Sequence, residues 1–80
     1  MELAVKSPNG YDLAFVRWFR RHGWRINQYF NAVTVWTNDD LHCPFIVTPG
    51  MIERLLSAGL IKQIFPENAS MWDDIYVLVK

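Results

Sequence analysis

One cysteine, four glycines, four prolines and no surplus of either charge are what these 80 residues contain, and each shortage narrows the reading. With Cys43 alone, no disulfide can close within the chain, and the thiol is expected to serve as a small hydrophobe rather than to mark an oxidising compartment. The isolated glycines leave no cradle for phosphates, so nucleotide binding has no support. No Cys/His pair stands at zinc spacing, no His-x-x-x-His occurs and no calcium loop is present, so neither a metal nor any other cofactor is expected. Apolar runs last a few residues, against the roughly 20 that cross a membrane, and the start MELAVKSPNG has no apolar stretch of the secretory kind. The expected setting is the cytoplasm. Eight basic side chains balance eight acidic ones, which excludes holding a polyanion by bulk charge alone.

Aromatic residues, by contrast, are plentiful: four tryptophans, three tyrosines and five phenylalanines. A chain of this length buries only about 60% of its unfolded surface. Its aromatics either make up for that with a dense core or stay partly outside for a partner. The balanced charge also hides a split. Residues 1–25 carry Lys6, Arg17, Arg20, Arg21 and Arg25 against Glu2 and Asp12, whereas residues 26–80 carry Arg54, Lys62 and Lys80 against six carboxylates. The molecule is dipolar.

Ser7-Pro8-Asn9-Gly10 is a turn signal, after which the periodicity predicts a helix from Tyr11 to His22 closed by Gly23. Tyr11, Ala14, Phe15, Val16, Trp18, Phe19 and His22 fall on one broad arc of it, and Arg17, Arg20 and Arg21 fall opposite with Leu13. Phe30–Thr37 and Cys43–Thr48 are rich in β-branched and aromatic residues and flank Asn38-Asp39-Asp40, which reads as a β-hairpin, with Pro44 at a strand start or edge. Thr48 and Pro49 open a second helix that Gly59 closes as a left-handed cap. Met51, Ile52, Leu55 and Leu56 form its apolar stripe and leave Glu53, Arg54 and Ser57 to solvent. Leu60–Phe65 and Ile75–Lys80 read as two more strands around a loop over Pro66–Asp74. The expected fold is α+β, a single small domain over residues 1–80. Its order is helix-strand-strand-helix-strand-strand, with an antiparallel sheet and two helices packed on one face.

Residues 48–80 carry TPGMIERLLSAGLIKQIF, a loop and IYVLVK, with Leu56, Gly59, Leu60, Ile61, Tyr76 and Leu78 at the places where winged-helix DNA-binding domains have a Leu-x-x-x-Gly-Leu-Ile signature and a returning Tyr-x-Leu strand. This half of the chain resembles that family, which makes the expected fold partly winged-helix-like and implies DNA as partner. The resemblance covers about two fifths of the sequence. It departs from the family where residues 26–47 read as a hairpin, where the equivalent of the recognition helix offers only Arg54 beside Glu53, and where the wing residues 66–74 are acidic.

No catalytic constellation emerges, and the chain is read as not an enzyme. His42 and Cys43 are adjacent, so a strand would send them to opposite faces, and a thiol–imidazole pair would need His22. Two surfaces stand out. Arg17, Arg20, Arg21 and Arg25, with Trp24 among them, form a basic patch with an interleaved aromatic, suited to nucleic acid or an acidic partner, or else a solvated helix face. Met71 and Trp72, rimmed by Asp73 and Asp74, form either a protein-docking anchor or a cap folded back on the core. The expected role is a small non-catalytic regulatory binding module that contacts nucleic acid or a nucleoprotein through its basic first helix. The alternative is a protein-binding inhibitor, similar in size and composition to those of phages and mobile elements, anti-CRISPR proteins included. A homodimer is compatible with strands that are apolar in both phases.

Overall fold

The computed structural model describes residues 7–67 and 72–79. Asn9 begins α1 (Gly10–His22) through a capping box: its side chain accepts from the Asp12 backbone N–H at 2.9 Å, and the Asp12 carboxylate accepts from the Asn9 N–H at 3.1 Å. The helix ends at Gly23 as expected, but not in a left-handed turn. Gly23 is already extended, with φ −86° and ψ 152°, and the chain passes directly into β1 (Gly23–Tyr29). Glycine is needed there for space, because a Cβ would lie 2.0–2.4 Å from three ring carbons of Phe19.

β1 pairs antiparallel with β2 (Ala32–Thr37) across a two-residue turn at Phe30–Asn31, with Tyr29 opposite Ala32. The first strand of the hairpin therefore lies earlier than the sequence pattern predicts. GWRINQY carries Arg25, Asn27 and Gln28 and looks polar, yet its one large aliphatic side chain, Ile26, is fully buried. The segment Cys43–Thr48, expected as a strand, joins no ladder among the described residues. It is a strap whose alternate residues Cys43, Phe45 and Val47 pack against the core, with Phe45 meeting the rings of Tyr11, Phe15 and Trp18 on α1. Its period-2 pattern answers a helix surface, and the Tyr11 hydroxyl accepts from the Ile46 N–H at 2.7 Å in place of a strand partner.

Thr48 caps α2 (Pro49–Ser57), its hydroxyl accepting from the Met51 N–H at 3.2 Å, with Pro49 in the first turn. The far end closes as a Schellman turn: Gly59 has φ 73°, and the N–H groups of Leu60 and Gly59 donate to Leu55 and Leu56 at 3.0 Å each. Met51, Ile52 and Leu55 are buried, but Leu56 is 37% exposed and does not belong to the stripe. β3 (Ile61–Ile64) and β4 (Asp74–Leu78) then complete a four-stranded antiparallel sheet in the order β2-β1-β4-β3. This is a small α+β domain. Phe15, Val16 and Phe19 of α1 and Met51, Ile52 and Leu55 of α2 share one cluster with Ile26, Ile61 and Tyr76, so both helices cover the same face of the sheet. No helix among the described residues is long and apolar enough to cross a membrane.

Candidate nucleic-acid interface

The sheet has a gap where the basic residues converge. The β1–β4 ladder stops at Ile26 opposite Tyr76, whereas β1–β2 runs on to Gly23–Thr37 and β3–β4 to Ile61–Leu78. Beyond Ile26 the two central strands part. An open groove of about 830 Å³ lies between them, bounded by Gly23 and Trp24 on one side and Val77–Val79 on the other, with Phe19 of α1 against it. Arg20, Asn38 and Lys62 also line it, and no carboxylate among the described residues does.

A bulge re-aims the start of β1. The register shifts between Gly23 and Arg25, leaving Trp24 as the extra residue, and the Arg25 guanidinium carbon sits 3.9 Å from the centre of the Trp24 indole. Arg25 pairs across the ladder with Trp36, and Val77 with Lys62. Trp36–Arg25 and Val77–Lys62 are thus two cross-strand pairs on the face away from the helices, one on each side of the gap. The row beside them holds Thr34, Asn27, Ile75 and Ile64, again without a carboxylate. Trp24 and Trp36 are each about half exposed, at 51% and 48%. Arg25 Nε and Asn27 Oδ1 are buried without a hydrogen-bond partner among the described residues, a condition that costs about 1–3 kcal/mol per group.

The predicted basic patch is therefore divided between two elements that the fold joins. Arg17, Arg20 and Arg21 are exposed on α1, none of them ion-paired with a carboxylate of the described residues, and Arg20 reaches the groove that Trp24 lines. Lys62 and Trp36 complete the surface, and sequence reasoning missed both. An isolated lysine and a strand tryptophan give no signal until the fold sets the tryptophan opposite Arg25 and the lysine across the gap from it.

The second predicted surface lies elsewhere. Trp72 is 68% exposed, Asp73 is half-buried, and the Asp74 carboxylate accepts from the Gln63 amide at 3.0 Å; Met71 lies outside the described residues. Asp74 faces Gln28, at the end of the sheet opposite the groove, so the two surfaces are separated by the length of β4, about 16 Å at strand rise. Tyr29, Phe30 and Phe65 are exposed at that same end.

Several titratable groups outside these surfaces are committed to structure. Asp12, which the sequence offered only as a charge, is 0% exposed and receives two bonds from Arg54, Nε at 2.6 Å and an Nη at 3.1 Å. Arg54 is thus not left to solvent as expected from its helical position. The guanidinium bond, aided by the Asn9 N–H and opposed by burial, holds the Asp12 carboxyl below its ordinary range, and the same bond raises Arg54. The Cys43 thiol points to the Phe45 carbonyl at 3.6 Å, and burial pushes its pKa up. His22 Nδ1 lies 3.1 Å from Asp39 instead, so the fold gives the thiol and the imidazole different partners. Burial, and then the charge of Asp74, raises the Tyr76 hydroxyl. No group of three or more His, Cys, Asp or Glu side chains among the described residues could hold a metal ion. Comparison with known proteins finds no matching family model, no similar curated protein and no similar solved structure.

Proposed function

We propose that this chain is a non-catalytic binding module that holds nucleic acid through the arginines of α1 and the groove beside them. One observation carries the reading: Arg20, Trp24 and Lys62 line a groove free of carboxylates among the described residues, with Arg17 and Arg21 exposed on the same helix as Arg20 and the Arg25 guanidinium over the Trp24 ring. Cations without acidic partners keep their attraction for phosphate, and an aromatic among them adds a contact that phosphate alone does not use. In this reading α2 is not a groove reader, since its one arginine is engaged by Asp12. The half that resembles a winged helix is scaffold.

The test is a titration of labelled oligonucleotide at several salt concentrations. Five phosphate contacts give a slope of log K against log salt of about −3 to −5. Arg20→Glu with Lys62→Glu, both exposed positions, weakens binding by about 10-fold or more and flattens the slope by more than one unit. Unchanged affinity in that double variant rejects the reading.

A second reading has its own support at the far end of the sheet, where Trp72, Phe65 and Phe30 are 68%, 83% and 71% exposed beside Asp73 and Asp74. That surface suits a protein partner, in the manner of an inhibitor that docks through aromatic anchors with an acidic rim. Trp72→Ala then releases a captured partner, whereas Arg20→Glu leaves it bound.

A further inference from the structure

We propose that the nucleic acid is single-stranded, with its bases stacked on Trp24 and Trp36 and its backbone led past Arg20 and Lys62. This inference rests on the nucleic-acid reading above and narrows it. A duplex keeps its base faces inside and offers a protein only edges and phosphates. Half-exposed indoles, Trp24 at the groove and Trp36 on the helix-free face of the sheet, meet only those edges and phosphates there. On an unpaired strand they do, because every base has a π face.

The geometry suits a stacked strand. Trp36 and Arg25 are cross-strand partners, and the Arg25 guanidinium lies flat enough on Trp24 to sit 3.9 Å from its ring centre, so the two indoles flank one arginine. Among the described residues no carboxylate is ion-paired with Arg25, so a phosphate drawn to the exposed part of its guanidinium meets no competing ion pair. Across the gap from the Trp36–Arg25 pair lies the Val77–Lys62 pair, with Arg20 at the groove between them. The charge count points the same way. Four arginines and one lysine make a modest phosphate field in a chain of zero net charge, so aromatic contact has to supply much of the affinity.

The experiment compares fluorescence anisotropy of a labelled oligo-dT of about 15 nucleotides, within the span of known single-strand sites, with that of its duplex with oligo-dA. The single strand binds at least about 10-fold tighter, and its addition quenches tryptophan emission. Trp24→Ala and Trp36→Ala each weaken single-strand binding by about 5- to 150-fold, and Trp36→Phe, which keeps a stacking face, restores most of the loss. Equal or tighter binding of the duplex, absent quenching, or wild-type affinity in both alanine variants overturns the inference. If the duplex binds and Arg20→Glu with Lys62→Glu abolishes it, the nucleic-acid reading stands without the single-strand inference. If neither oligonucleotide binds, both fall. Quenching is read on the unmodified protein, so the test does not depend on the variants folding.

Discussion

Replacing Asp12 with alanine removes the one fully buried charged side chain among the described residues, and the structure sets how much that costs. The carboxylate performs two tasks. It completes the capping box of α1 by accepting from the Asn9 N–H, and it binds Arg54 of α2 through two bonds, which ties the helices together across 42 residues of sequence. A lost cap costs about 1 kcal/mol and a lost charge-assisted bond about 1.5–3 kcal/mol. The total stays below the full penalty of a broken buried pair, because the Arg54 side chain is 32% exposed and can turn to water. We expect a loss of about 2–4 kcal/mol. For a domain of this size that lowers Tm by about 10–30 °C, a large share of a total stability of roughly 4–12 kcal/mol. Urea melts across pH add a second check. The folded carboxyl titrates below its unfolded value, so its stabilisation is fully present above about pH 4 and is lost as pH falls through the folded pKa. Wild type and Asp12→Ala therefore differ most near neutrality and converge in acid. A loss under about 0.5 kcal/mol at pH 7, or a gap that persists undiminished at about pH 2, would refute the assignment.

Two further substitutions probe the backbone, one beside the candidate interface and one at the opposite end of the sheet. Gly23→Ala drives a methyl group into the Phe19 ring, itself 1% exposed, and costs about 2–3 kcal/mol in a chemical melt; an unchanged midpoint would show that the ring yields freely. Phe30 is 71% exposed and holds φ 54°, a conformation that favours glycine, so Phe30→Gly raises stability by about 0.5–1 kcal/mol, and a lower midpoint would argue that its edge contact with Tyr29 outweighs the strain.

Legibility followed the range of the interactions concerned. The caps of α2 were readable because Thr48, Pro49 and Gly59 act on backbone groups within a few residues, and the Schellman turn found at Gly59 needs nothing more distant. The two faces of α1 were readable for the same reason: Arg17, Arg20 and Arg21 oppose Phe15 and Phe19 by helical geometry alone. The strands of the first hairpin were misassigned because alternation tells which residues point inward without telling what lies inward. Cys43, Phe45 and Val47 alternate against a helix, and GWRINQY forms a central strand on the strength of Ile26 and two neighbours that only the fold supplies. Asp12 and Arg54 looked like ordinary surface charges, one beside a turn and one on an outer helix face.

Composition and local pattern alone set the class of this protein: an α+β chain with two capped helices, a charge split and twelve aromatic side chains. Those features depend on neighbours along the chain, whose distances are fixed by bond geometry. Tertiary structure decided which of them meet. The strand order β2-β1-β4-β3 sets Lys62 across the gap from Arg25 and Trp36, the lapse of the central ladder opens the groove beside Arg20, and the docking of α2 on α1 turns Asp12 and Arg54 into a partly buried pair. Such contacts join residues tens of positions apart, and their geometry comes from the packing of whole elements, to which the identity of each residue contributes only a part.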